Sequence, residues 1–292
     1  MTSVNSQVVF ITGGGHGIGA EVARRLHAKG AKLVLTDLDP DALATITAEL
    51  GSERVLTVVA DVCDLAAMQT AAESAVNTFG GIDVVLANAG IASYGSVLQV
   101  DPKAFQRVID VNLVGVFNTV RATLPSVIGT KGYVLIVSSL AAFAAAPGMS
   151  PYDASKAGVE HLANALRLEA VGHGVTVGSA HMSWIDTALV RDSKADLPSF
   201  TELLSKLPWP LNKTTSVDDC ANAFVKGIEQ RKKRVYCPGW VGFFRWLKPV
   251  LSTAIGENAV SKTAKELLPR MDAEVAALGR STSSFNAKFD KA

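Results

Sequence analysis

Short apolar runs alternate along this chain with longer stretches in which apolar side chains recur every three or four residues. The runs at 8–11, 32–37, 55–60, 83–87, 133–137, 175–180 and 234–237 are mostly apolar, and the first five lead into Thr12-Gly13, Asp37, Asp61, Asn88 and Ser138. They read as buried strands. Between them the period changes to that of a helix. Ile18, Val22 and Leu26 are spaced by four and stop at Gly30, and Asp39-Pro40 supplies an N-cap and a first-turn proline for the next helix. Helical patterns also cover 65–79, 105–124, the stretch from Tyr152 to Gly172, and 217–230. Strands that alternate with helices predict an α/β fold: a doubly wound parallel sheet of seven strands with helices on both faces.

Two parts lie outside that alternation. Residues 191–216 hold three prolines and little period, which suggests a lid over a site. From Trp240 onward the chain exceeds what the strand–helix units need. Aromatic residues crowd 240–251, helices are expected at 257–268 and 271–278 with a break at Pro269, and the last dozen residues look disordered. The expected organisation is one domain, 1–240, with a helical extension, 241–292. That extension is expected to cap the mouth of the substrate site; a membrane surface or a neighbouring subunit is the alternative for its aromatic segment.

Composition narrows the class. The chain has 292 residues, 48% hydrophobic and 19% charged, with net charge +1. That suits a soluble globular protein and argues against nucleic acid as a partner. Cys63, Cys220 and Cys237 are scattered, with no Cys-x-x-Cys and no clustered His, so no disulfide framework and no metal site is expected, and a reducing cytoplasm fits. The polar first seven residues lack the pattern of a signal peptide. Residues 132–152 carry no charge and match a membrane span in length, but Ser138, Ser139, Pro147, Gly148, Ser150 and Pro151 favour a buried strand followed by an irregular loop. The basic run 231–234 is read as a solvated helix end.

The candidate chemistry sits at the ends of the strands. Gly13, Gly14, Gly15, His16, Gly17, Ile18 and Gly19 join the first strand to the first helix. Glycines there let the backbone approach a pyrophosphate that the helix N-terminus then holds. Asp37-Leu38 ends the second strand, eighteen residues past Gly19, near the spacing of about twenty expected of a ribose-binding carboxylate. Such a carboxylate repels a 2′-phosphate, which favours NAD over NADP. Asp61-Val62 follows the third strand, where it could receive an adenine or cap a helix, and Asn88-Ala89-Gly90 follows the fourth. Tyr152 and Lys156 lie four apart, on one face of a helix, so a nearby ammonium can lower the phenol pKa and make a general acid/base pair. A serine thirteen residues upstream can hydrogen-bond the oxygen being protonated. Asn112, in an apolar helix, either bonds its own helix backbone or holds a water near the lysine.

Taken together, Thr12-Gly-x-x-x-Gly17-x-Gly19, Asn88-Ala89-Gly90, Asn112, Ser139 and Tyr152-x-x-x-Lys156 resemble the short-chain dehydrogenase/reductase family over residues 7 to about 240. The resemblance implies a Rossmann fold and NAD(P)-dependent hydride transfer at an alcohol or carbonyl carbon. It implies Tyr152 as proton donor and acceptor, Lys156 as the group that lowers its pKa and contacts the nicotinamide ribose, Ser139 as the substrate-polarising serine and Asn112 as part of a water relay, with Tyr152 and Lys156 also among the cofactor-binding residues. Asp61, Val62, Asn88 and residues 185–187, including Ile185 and Thr187, match cofactor contacts, and a homodimer or homotetramer is the family expectation. Two departures stand out: Met182-Ser183 where the family has Pro-Gly, and Ala87 where it has Asn. Ala92, Ser93, Tyr94, Phe143, Met149, Met182 and Trp184 are expected to line the substrate space. Their apolar character predicts a lipophilic secondary alcohol or ketone, steroid-like or fatty. A silent nucleotide-binding module is the rival reading, and a sugar-nucleotide epimerase is disfavoured because its Gly-x-x-Gly-x-x-Gly spacing is absent.

Overall fold

The computed structural model describes residues 3–251 and 253–288. Seven strands, β1 (Val8–Thr12), β2 (Lys32–Asp37), β3 (Val55–Val59), β4 (Val84–Ala87), β5 (Tyr133–Val137), β6 (Thr176–Met182) and β7 (Arg234–Cys237), form one parallel sheet in the order β3-β2-β1-β4-β5-β6-β7. Both faces are covered, which explains why the strands are continuously apolar. Side chains alternate between faces with period two. Val9 and Ile11 of β1 enter one core cluster with Leu26, Ile46 and Phe224, while Val8 and Phe10 enter the other with Met68, Val120 and Val159. The first face is built by α1 (Gly17–Ala28), α2 (Pro40–Leu50) and α9 (Val217–Glu229). The second is built by α3 (Leu65–Phe79), α5 (Gly115–Gly129) and α6 (Ser150–Glu169). The strand order reverses between β1 and β4, which opens a crevice at their C-terminal ends.

Several local expectations change. The helix expected at 105–124 is longer. It runs as α4 (Pro102–Ile109), a π-helical turn Asp110–Val114 that carries Asn112, and then α5. This run, Pro102–Gly129, is also long and apolar enough to cross a membrane by length and composition, but half of its most apolar window is buried, here against the sheet. The 191–216 stretch is mostly helical, as α7 (Ala188–Asp196) and α8 (Pro198–Lys206). Pro198 starts the second helix and splits the apolar period that would have revealed both. Arg234 of the basic run is not solvated; it turns inward to pair with Glu160 at 2.9 Å.

The extension begins with α10 (Val241–Leu251), which buries Val241 but leaves Phe243, Trp246 and Val250 outward. It continues as α11 (Ala254–Leu278), a single helix with Pro269 inside rather than two helices parted there. Leu267, Met271 and Val275, spaced by four, bury into a third cluster with Tyr94, Met149, Leu197, Phe200, Leu203 and Leu204, and that packing carries the helix past its proline. The segment after it is ordered over 281–288. The Tyr94 N–H donates to the Ser281 carbonyl at 2.7 Å, Thr282 bridges Ser93, and α12 (Ser284–Ala287) follows; residues 289–292 lie outside the described residues. Met271 is 1% exposed, between α8 and the 148–149 turn. Met271→Ala should cost about 2–5 kcal/mol of stability, read from the denaturant midpoint. An unchanged midpoint would show that α11 does not pack there.

Candidate active site

A single cleft runs along the C-terminal ends of the strands, lined at one end by Gly13, His16, Gly17, Ile18, Asp37, Leu38, Asp61 and Val62. The turn from β1 into α1 depends on its glycines. Gly17 has φ +50°, and a Cβ on Gly19 would collide with the Gly13 carbonyl oxygen. His16, at the N-cap position of α1, does not cap the helix with its side chain. Its Nε2 instead meets Asp39 Oδ2 at 2.9 Å. The N-terminus of α1 therefore opens on the cleft at Gly17 and Ile18. Gly15 and Gly19 lie behind this lining. The Gly15 N–H donates to Asp37 Oδ2 at 2.9 Å and fixes the carboxylate at the end of β2.

Asp61 is not a helix cap, since Asp64 caps α3 through the N–H groups of Ala66 and Ala67. Asp61 accepts from the Cys63 N–H at 2.8 Å and from Arg107 Nη2 at 3.2 Å. Burial works against its charge, but these donors outweigh it and hold the carboxyl below the usual carboxylate range. Arg107, which also lines the cleft, gave no sequence signal. Asn88 Nδ2 donates to the carbonyls of Thr12 and Gly13, so its side chain staples the glycine turn.

At the centre, α6 places Tyr152 and Lys156 in the cleft beside Ser138, Ser139 and Gly90. Lys156 is 3% exposed, and its Nζ donates to the Val137 carbonyl at 3.0 Å and lies 5.6 Å from the centre of the Tyr152 ring. Burial pulls its pKa down to about 8. For Tyr152, burial pushes the phenol up and a hydrogen bond with Ser139 opposes it. The neighbouring Asp153 adds to the rise, so the phenol lies above its ordinary value rather than below it, against the lowering by Lys156 that the sequence led us to expect. Ser138 Oγ donates to the Lys156 carbonyl, which leaves Ser139 as the hydroxyl toward Tyr152. Asn112 lies outside the lining and bonds neither its own helix nor a vacant space. Its Oδ1 accepts from the Ile91 N–H, and its Nδ2 donates to the Ile91 carbonyl and to Ser155 Oγ, clamping the chain after β4 to α6.

The outer end is lined by Ala92, Tyr94, Met149, Met182, Trp184 and Leu189, with Ile185 and Thr187 between it and the glycine turn. Phe143 is a correction: it faces away, stacked on His181 with ring centres 4.5 Å apart and packed with Val241. Ser93 is fully buried outside the lining. At the family's Pro-Gly position, Met182 faces the cleft and the Ser183 N–H donates to the Cys237 carbonyl, so the sheet ladder runs one residue further. Besides Arg107, the lining residues missed include Leu189, Asn286 and Asp153. Asn286 comes from the segment expected to be disordered. Asp153, next to Tyr152, could have been found by that adjacency.

The comparisons agree with this architecture. The family model for short chain dehydrogenases matches residues 7–198. The putative oxidoreductase SadH of Mycobacterium tuberculosis is 34% identical over 249 residues, covering 80% of this chain and 87% of SadH. A short-chain dehydrogenase/reductase from Burkholderia phymatum, solved in complex with NAD, superposes with a TM-score of 0.73 at 25% identity, covering 84% of this chain and 94% of that one. A short chain dehydrogenase from Mycobacterium paratuberculosis, bound to NAD, gives 0.70 at 26%, covering 80% and 97%. The chain belongs to the short-chain dehydrogenase/reductase family and is one of its oxidoreductases.

Asp153 generates a prediction. Its Oδ2 accepts from the Ala146 N–H at 2.9 Å, but burial raises its carboxyl to about 7 from 3.8. The folded state keeps a proton that the unfolded chain releases. The stability this contributes is complete below about pH 4 and is lost as pH rises to about 7. Asp153→Asn keeps the acceptor for Ala146 and removes the titration. Its denaturant midpoint should gain on the wild type between pH 4 and 7 and run parallel above. The opposite slope would mean that the fold stabilises the carboxylate.

Proposed function

We propose that this oxidoreductase is an NAD-dependent alcohol dehydrogenase or ketone reductase with Tyr152 as its general acid/base. The observation that carries the reading is the meeting of Tyr152, Ser139 and buried Lys156 on one cleft wall, with the Lys156 Nζ 5.6 Å from the centre of the Tyr152 ring and burial holding the phenol protonated. A phenol in that state is a proton donor for a carbonyl oxygen, and Ser139 orients that oxygen by a second hydrogen bond. Buried Lys156, held on the Val137 carbonyl, keeps a cation under the phenol as proton charge moves. A module that only bound nucleotide would have no use for all three groups together, which disfavours the silent module.

The other end of the cleft fits a dinucleotide. A Cβ would block the glycine turn, the N-terminus of α1 opens where a pyrophosphate would lie, and Asp37 stands at the end of β2 with a fixed carboxylate. When bound, the nicotinamide supplies or accepts the hydride at the substrate carbon. Asp37 would accept from ribose hydroxyls and repel a 2′-phosphate, which supports NAD over NADP. Tyr94, Met149, Met182, Trp184 and Leu189 support a lipophilic substrate.

Tyr152→Phe should lower kcat about 10²- to 10⁴-fold on hydrophobic ketones while binding NADH as the wild type does. Full turnover by that variant would remove Tyr152 from the chemistry. Asp37→Ser should lower the ratio of kcat/KM for NAD over NADP by about tenfold or more, as expected when a like-charge repulsion is removed. An unchanged ratio would place cofactor choice elsewhere.

A further inference from the structure

A buried cluster of titratable side chains lies behind the cleft wall, and the proton chemistry above does not use it. His181, in β6, is fully buried. Its ring is stacked on Phe143 with centres 4.5 Å apart, and the Tyr236 ring lies 5.6 Å away. Its Nε2 stands 3.0 Å from Ser179 Oγ and 3.0 Å from Glu160 Oε2. Glu160, on α6, is held in turn. Arg234 Nη2 pairs with its Oε1 at 2.9 Å, and Asn164 Nδ2 donates to the same oxygen at 3.3 Å. The other ring nitrogen, Nδ1, is 3.3 Å from the Ser139 carbonyl oxygen. A carbonyl only accepts, so Nδ1 carries its hydrogen and donates. Buried polar clusters of this kind give little net stability over an apolar filling of similar volume. An apolar side chain at this place could pack against Phe143, but it could not donate to Ser139.

Ser139 stands where such a donor matters. The ladder between β5 and β6 ends one residue earlier, at the Ser138 N–H, which donates to the Ala180 carbonyl at 2.8 Å. Beyond it the chain turns over 139–142. The Ala141 N–H donates to Ser139 Oγ at 3.1 Å and the Ala142 N–H to its carbonyl at 3.2 Å. These two bonds shape the turn from within and do not fix it to the sheet. His181, the residue after Ala180, reaches across from β6 and does. We propose that His181 is a positioning residue, which sets the Ser139 hydroxyl in the cleft by holding the Ser139 carbonyl to β6, its ring kept in place by Glu160, Phe143 and Tyr236. This rests on the reductase reading above, in which Ser139 orients the substrate oxygen, and adds to it a residue outside the cleft lining. A misplacement of about 1 Å at a reacting group can cost about 100-fold in rate, so a side chain behind the wall can govern kcat.

The test uses two amides that divide the functions of the ring. The amide nitrogen of His181→Asn is as many bonds from the backbone as Nδ1 and can donate to Ser139. That of His181→Gln reaches the place of Nε2 and leaves Ser139 without the donor. With 2-decanone and NADH, His181→Gln should lower kcat about tenfold or more with NADH affinity unchanged, while His181→Asn stays within about threefold of the wild type. With Ser139→Ala already in place, His181→Gln should cost little more, because its effect passes through the serine. Equal losses in the two amides, no loss in either, or the same loss with and without Ser139→Ala overturns the inference. If the wild type reduces no ketone, the reductase reading fails separately. In that case, or if the variants do not fold, nitrogen-15 NMR of the wild type labelled at histidine decides the inference: Nδ1 of His181 should carry a hydrogen, and a bare Nδ1 overturns it.

Discussion

The buried ammonium of Lys156 is the constraint around which the centre of this molecule is arranged. Removing a cation from water is expensive, and the drop in its pKa to about 8 records that cost. Its Nζ is held on the last carbonyl of β5, its stem runs from α6, and Gly90 leaves room beside it, where a Cβ would stand 3.4 Å from Nζ. Asn112 sits in the π-helical turn and ties Ile91 to Ser155, so the chain after β4 and the helix bearing the lysine move as one piece. Tyr152, one turn earlier on the same helix, inherits its position from that assembly.

The two ends of the cleft follow different physical rules. At the glycine turn every carboxylate is anchored by backbone N–H groups or an arginine, so the charge pattern is preset before any ligand arrives. At the other end polar groups are left unsatisfied among apolar side chains. Asp153 belongs to both descriptions: one oxygen holds the 146 turn, and the other has no protein partner.

Much of this was legible in the sequence because it is local. Fully buried parallel strands are continuous apolar runs. A glycine turn between strand and helix is recognisable within eight residues, and Tyr152 and Lys156 are one helical turn apart. What escaped was set by distant contacts. Pro269 looked like a helix break, but Leu267, Met271 and Val275 pack on one cluster and carry α11 through it. Asn286 and its neighbours looked disordered because their hydrogen bonds are made with Ser93, Tyr94 and Asp101, far away in the chain. Phe143 looked like a substrate contact because its loop borders the cleft, yet the side chain is drawn to the face of His181. No residue of the Arg107 helix announces its pairing with Asp61, which only the fold creates.

The third hydrophobic cluster has one more consequence. It is made by α7, α8 and α11 with a few residues of the 92–94 and 146–152 segments, and it shares no buried member with the two clusters that flank the sheet. A subregion with its own small core opens at a free energy set by that core, below the cost of melting the whole molecule. Among the described residues, only α7 of these helices reaches the cleft wall, through Ala188, Leu189 and Val190, so local opening of this small core would loosen that wall while the sheet stays intact.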